Sequence, residues 1–394
     1  MDVNNIIFSL YGEQVGSFEV KLPKILNGYW STDENGNEKV TTAEIYDILY
    51  YHVELPSDVT NDNITLRLFK ENKFSDDYMG IEQTLYINKK GYVKIDFVEI
   101  LEKKNKNQKN PILEIWKEYA DKDLKLYWHI KYSKGEKKLN DDNAKLQMFS
   151  DTYVSGILGN KIRYTCNAGW IDKTHFITTN NRNRIDIGAT NLWKQLVNET
   201  GTKSAWTDGF KVTYAQDVDI KKLVGFNFTI SLASKSYMVK YNLDIEVKKR
   251  IAMTIFQEIS MSFENWQGLR LDLRDSAFEP ADLVSNVLGL YGVLRDEKPE
   301  TILERCKELG CRESLKVYRK YPGTFSSKKY KNKKFTPRFF ENDECTHTPK
   351  CSQVFPIEYQ EIKPYPNPKN NAIFREWIDL FDVHKGVPPL STYK

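Results

Sequence analysis

Three side chains in this sequence have the types and spacing that acid–base chemistry needs. In AGWIDKTHF, residues 168–176, Asp172 and His175 stand three apart. On a helix they share a face. An imidazole oriented by a carboxylate is used by general bases and by metal ligands alike. The third is Glu258, in DIEVKKRIAMTIFQEISMSFENW, residues 244–266. At the ~100° per residue of a helix, Ile251, Ala252, Ile255, Ile259, Ser262, Phe263 and Trp266 share one broad arc that must face a core. Glu258 falls at the edge of that arc and Glu264 points to the other side. A carboxylate against apolar neighbours loses hydration, so its pKa rises unless a cation or a donor answers it. The expected answer is His175, which makes Asp172, His175 and Glu258 one site, with Trp170 and Ser262 at its margin.

Such a set supports three readings. His175 and Glu258 could be an acid/base pair for a hydrolase with water as the nucleophile. They could hold a divalent metal, although H-E-x-x-H is absent. They could also be a buried polar network that braces helices without chemistry. No cofactor is required by the sequence. Serine nucleophiles lack a G-x-S-x-G setting, and Cys166, in YTCNAG, reads as a strand end. Phosphate-binding loops, dinucleotide glycine patterns and kinase signatures are missing.

The elements that must position these residues divide the chain. At 394 residues, with 40 % hydrophobic and 28 % charged residues, two folded domains are expected. The predicted class is α+β. Residues 1–150 read as short alternating or aromatic-rich strands, favouring an immunoglobulin-like β-sandwich with its clearest hairpin at Lys89-Lys90-Gly91. PILEIWKEYA, 111–120, reads as a short helix. Residues 151–295 read as a mainly α-helical domain with a small β element. It contains a helix at ATNLWKQLVNETG, a hairpin or a pair of strands over 223–242, the long helix through Glu258, and a second helix in AFEPADLVSNVLGLYGVL, 277–294. Pro280 and Asp282 suit the start of that second helix. Residues 296–394 read as an extension packed on the helical domain, with REWIDLF as a last short helix.

Net charge is only +4, so no general polyanion-binding surface is implied. The Lys-rich stretch KKYKNKKF reads as a solvated loop, and no nucleic-acid partner is expected. No window approaches the ~20 apolar residues of a membrane span. A Sec-type signal is not visible, so synthesis in the cytoplasm is expected, with export by a dedicated machine. The five cysteines are expected mostly as free thiols. Cys345, His347 and Cys351 form C-x-H-x3-C, a weak zinc candidate, and local disulfides are the other alternative.

With those motifs stated, YTCNAGWIDKTH, FQEIS and FEPADLVSNVLG together resemble a bacterial domain family of unknown function. Its members carry a Gly-(aromatic)-Ile/Val-Asp-x-x-His element, a helix with Glu-Ile-(small), and a Phe-x-Pro-x-Asp-Leu-x-Ser-Asn-x-Leu-Gly element, covering residues 160 to 295 here. The resemblance points to Asp172, His175, Glu258, Asp282, Ser285 and Asn286. Gln257 stands where members carry His, which counts against a metal. The N-terminal half, through its LYWHIKY strand, is loosely similar to the leading module of effectors exported by contractile injection systems of Bacteroidota. Together the two resemblances imply a type VI-like effector, a toxin whose second domain attacks a target-cell component. An acidic residue in a helix against an apolar wall suits glycoside or amide hydrolysis, so peptidoglycan or another envelope polymer is the substrate class expected first. A component of the secretion apparatus or an immunity protein would be its partner. The rival expectation is a non-catalytic adaptor of the injection apparatus.

Overall fold

A computed structural model describes residues 3–10, 13–21, 27–56, 59–73, 75–103, 122–178, 188–200, 209–223, 226–269, 277–346, 353–366 and 373–376. The chain divides into two compact units, residues 1–159 and 160–394. Helices and strands occur in comparable amounts, in separate sheets, so the class is α+β.

Unit 1 is built from strands whose side chains alternate. Over β7 (Asn61–Lys70), Ile64, Leu66 and Leu68 are buried while Thr65 and Arg67 face outward, the period of two that one buried face imposes. One layer runs β4 (Lys39–Val40), β3 (Asn27–Ser31), β6 (Ile48–Glu54), β9 (Lys90–Asp96). The other runs β8 (Asp77–Asn88), β7, β10 (Lys122–Tyr132), β12 (Leu146–Ser150), β5 (Thr42–Ala43), with β11 (Gly135–Leu139) also on β10. The two runs join at the β9–β8 pair into one 10-stranded sheet, which folds so that residues of its two halves meet. Trp128 of β10 packs against Trp30 and Tyr51 of β3 and β6 at ring distances of 5.9 and 5.7 Å. Trp30 Nε1 is satisfied by the Ala144 carbonyl at 3.0 Å.

The Lys89-Lys90-Gly91 turn differs from the expected hairpin. β8 and β9 pair only at Asn88↔Lys90, with Lys89 at φ 61°. It is a corner at which the chain passes from one layer to the other. A separate ribbon pairs β1 (Val3–Leu10) with β2 (Glu13–Lys21). α1 (Phe97–Lys103) follows β9, and the helix expected at 111–120 lies outside the described residues. The unit closes with α2 (Thr152–Leu158), N-capped by Asp151, whose Oδ1 accepts from Val154 N at 2.7 Å. That capped helix carries the boundary from the expected residue 150 to 159.

Unit 2 holds more sheet than its sequence announced. β15 (Gly209–Leu223) and β16 (Phe226–Lys240) form a long antiparallel hairpin, joined by β17 (Phe374–Glu376). Phe210, Val212 and Tyr214 point to the core, whereas the hairpin had been expected only over 223–242. β17 occupies part of the stretch expected as a last helix, because Phe374 is buried against Tyr237 of β16. Among the described residues the other elements are a small hairpin, β13 (Ile162–Thr165) and β14 (Gly169–Asp172), the helices α3 (Lys173–Thr178), α4 (Ala189–Asn198), α5 (Ile245–Leu269), α6 (Asp282–Arg295), α7 (Pro299–Arg305) and α8 (Cys311–Lys320), and short 3-10 turns at Lys328–Tyr330 and Ile357–Tyr359. α5 runs through the middle, with α4, α6, β15 and β16 around it. Phe355, Tyr359 and Phe374 complete the same core, so the segment after residue 295 is part of this unit. Among the described residues no helix is long and apolar enough to cross a membrane.

Candidate functional site

The site forms where the β13–β14 hairpin delivers its last residue to the start of α3. Gly169 makes that delivery possible: its φ is +66°, and a Cβ there would lie 2.5 Å from the Arg338 carbonyl oxygen. Thr165 Oγ1 ties the turn by donating to Gly169 O at 2.9 Å and accepting from Ala168 N at 3.1 Å. Tyr164 clamps the segment opposite, its hydroxyl donating to Phe340 O and accepting from Phe340 N at 3.0 and 2.8 Å. Cys166 and Cys345 close a disulfide over this junction. Most cysteines had been expected free, and the alternative pairing had been local. Instead the bridge spans 179 positions. Cys345 is therefore not a thiolate ligand, and the zinc candidate loses one donor; His347 and Cys351 lie outside the described residues. Cys306 and Cys311 are free and buried.

Asp172, at the end of β14, caps α3: its Oδ1 accepts from Thr174 N and Thr174 Oγ1 at 2.7 and 2.6 Å. The expected shared helix face is not formed: Asp172 ends β14 and His175 lies in α3, on the two sides of a strand-to-helix junction. The Asp172 N–H donates to Ser285 Oγ at 2.8 Å, and that hydroxyl donates to Ala281 O at 2.6 Å. Both bonds commit Ser285 to positioning, joining α6 to the hairpin. Asp282 is buried, and its Oδ2 accepts from Glu279 N at 2.7 Å. Its pKa is held well above the ordinary aspartate value, first by burial and then by Glu264, Glu279 and Asp172. Asn286 is buried in α6.

The carboxylate facing this group is Glu264. Its side chain is 0 % exposed, and its Oε2 accepts from Phe278 N at 2.7 Å. Its Oε1 is sealed from water with no hydrogen-bond partner among the described residues. Burial pushes its pKa up, while the Phe278 amide, His175 and Lys331 favour its ionised form. Phe278 itself sits at φ 56°, a conformation costly for a non-glycine residue and here fixed by Asn332 N donating to its carbonyl at 2.9 Å. His175 is half-buried.

Glu258 is therefore not the partner of His175. It lies on the sheet side of α5, 32 % exposed, accepting from the Tyr237 hydroxyl at 2.8 Å with Lys235 Nζ at 3.9 Å. Tyr237, buried beside it, has its pKa raised by burial and by that carboxylate. Ser262 also stays outside the cluster, its hydroxyl donating to Glu258 O at 2.8 Å within the helix. Trp170 cannot contact a ligand: it is 0 % exposed, wedged between Tyr164 and Phe325 at ring distances of 5.2 and 5.1 Å. Sequence reasoning missed Glu264, Phe278 and Lys331, the last within a stretch taken as a solvated loop. Lys331 Nζ donates to Phe325 O at 2.9 Å.

The arrangement thus gathers Asp172, His175, Asp282 and Ser285 with Glu264 in place of Glu258. Among the described residues no group of three or more His, Cys, Asp or Glu side chains is placed to hold a metal ion. Chemically, a half-exposed imidazole with a buried carboxyl group behind it can take up and return a proton. Compared with known proteins, the chain matches no family model and no curated sequence.

Proposed function

We propose that residues 160–394 form a hydrolase in which His175 moves the proton and Glu264 compensates its charge. The observation that carries this reading is Glu264 Oε1. Buried polar groups that serve structure alone are mostly satisfied, whereas this carboxyl is fully desolvated, half-satisfied and within electrostatic reach of His175. Neutral His175 accepts a proton from water as the water oxygen bonds to the scissile carbon. The Glu264 carboxylate stabilises the imidazolium so formed, and His175 returns the proton to the departing nitrogen or oxygen as its bond to carbon breaks. Asp172, anchored through Ser285, fixes the start of the helix that presents the ring. Asp282, whose pKa is held up by burial and by its acidic neighbours, resists adding a further negative charge.

In this reading the chain is a bacterial secretion-system effector acting on a target-cell envelope polymer such as peptidoglycan. Its first unit is an immunoglobulin-like loading module, and the secretion apparatus and an immunity protein are its partners. The Cys166–Cys345 disulfide suits a protein that works in an oxidising compartment such as the periplasm. A second reading, a non-catalytic adaptor of a contractile injection apparatus, draws on the complete burial of Glu264, which a purely bracing carboxyl group would share.

Mass analysis of purified sacculi after incubation with the full chain separates the two. The hydrolase reading expects new muropeptide or glycan fragments, reduced about 100-fold or more by His175→Ala and strongly by Glu264→Gln, and retained by Glu258→Gln. A chelator arm that abolished release would move the reaction to a metal. Sacculi left unchanged by the wild-type chain, or degraded equally by His175→Ala, would overturn the hydrolase and leave the adaptor.

A further inference from the structure

Far along α5 from Glu264, the helix's first turns border an open cavity of about 820 Å³, lined by Glu246, Lys249, Arg250, Arg295, Ile362 and Lys363 together with Glu361. Four cations face two carboxylates there, and both carboxylates are committed. Lys249 Nζ bonds Glu246 Oε1 at 2.8 Å, and Arg295 Nη1 bonds Glu361 Oε2 at 3.1 Å. Among the described residues no acid pairs with Arg250 or Lys363, so two positive charges converge without compensation.

Arg250 is also held in position. Its Nε donates to Lys363 O at 3.2 Å, and its guanidinium lies 5.2 Å over the Tyr365 ring. The strap carrying that ring is pinned to the same helix, with Tyr365 N donating to Arg250 O at 3.1 Å and Thr254 Oγ1 donating to Tyr365 O at 2.9 Å. A guanidinium anchored at Nε and stacked on a ring keeps its two terminal nitrogens as a fixed fork, the geometry that binds two oxygens of one anionic group.

We propose that this cavity binds a small ligand bearing a doubly charged phosphate or diphosphate group. The Arg250 fork would grip one face of the group and Lys363 would neutralise its second charge. A single carboxylate would leave one of the two cations uncompensated. The cavity has room for more than the phosphate alone, so the charged group is one end of a larger molecule.

Titration calorimetry of the full chain with pyrophosphate tests this, with citrate as an anion of comparable charge without phosphorus. Saturable one-to-one binding tighter than about 1 mM is expected, weakened at least 10-fold by Lys363→Ala and by Arg250→Ala. Arg250→Lys, which keeps the charge and loses the fork, is expected to weaken it too. Lys363 is exposed, so its variant carries the test if Arg250→Ala fails to fold. Absence of saturable binding, binding unaltered in Lys363→Ala, or citrate bound as tightly as pyrophosphate would each overturn the assignment.

Discussion

Two of the glutamates of α5, Glu258 and Glu264, lie six positions apart in opposite surroundings. On the sheet side, Glu258 keeps contact with water and accepts from Tyr237 beside Lys235. On the α6 side, Glu264 has lost all exposure and is held by one backbone amide, with an oxygen left over. The first is an ordinary half-buried carboxylate with its partners in place. The second is a costly one, and structures retain costly polar groups where a function repays them. The contrast teaches that the chemically informative carboxylate is the one whose environment fails to satisfy it, not the one lying next to apolar residues on a helical wheel.

The largest test of that contrast removes the frame around the Glu264 side. Cys166→Ser opens a bridge enclosing 179 positions. Chain-entropy arguments then expect a loss of about 2–5 kcal/mol, read as a fall in the denaturant midpoint that dithiothreitol reproduces in the wild type. A wild-type midpoint insensitive to reductant would show that the hairpin holds without the bridge. Gly169→Ala strikes the same frame through the backbone. It forces a Cβ into the positive-φ position against the Arg338 carbonyl, and about 1–3 kcal/mol of stability should go with it. Because that turn delivers Asp172 and His175, the variant should lose hydrolytic activity before it loses its fold.

Much of the frame was legible in the sequence, and the carboxylate was not. The period of two in ITLRLFK and the 3.6 period through Ile251, Ile255 and Ile259 reflect one-sided burial, which leaves its record in residue order. Asp172, His175, Asp282 and Ser285 were singled out together, and the Asp172–Ser285 hydrogen bond joins their elements. Glu264 lies outside the apolar arc of α5 unless Met253 and Phe256 are counted in it. Both are buried, and with them the arc widens to about 200°, its far edge beside Glu264. That was the available signal. The first strand of the long β15–β16 hairpin was overlooked although its alternation is there, Phe210, Val212 and Tyr214 against Lys211 and Thr213, with Gln216 breaking the apolar register. Nothing local in sequence foretold that the Phe278 amide would meet Glu264.

A finer test uses pH. The folded-state pKa of Asp282 is raised, so the folded chain holds that proton more tightly than the unfolded one. Stability from this group is therefore present in full below the ordinary aspartate value of 3.8 and is lost as pH rises through the raised folded value. Asp282→Asn keeps an acceptor for Glu279 N and removes the titration. It should flatten the fall in unfolding free energy across that window, and an unchanged pH profile would place the proton elsewhere. Glu264→Gln follows the same sign. Burial penalises the charged form of Glu264, so replacing it should raise stability over the pH range in which it ionises while activity falls, the trade expected where a site is kept at the expense of the fold.

Glu258→Gln should go the other way, and by least. The Tyr237 hydroxyl keeps an oxygen to donate to, but the acceptor is now neutral and Lys235 loses one of its two acidic neighbours, retaining Glu376 at 3.4 Å. At a third exposed, solvent screens most of what is lost, so the change should be a decrease of under about 1 kcal/mol. The informative quantity is the pair of signs: stability up and activity down at residue 264, stability slightly down and activity intact at residue 258. Thermal melts of the two variants side by side read the stability signs, and mass analysis of sacculi reads the activities. If both moved the same way, the two glutamates would be equivalent members of one bracing network, and the case for His175 as a proton carrier would lose its foundation.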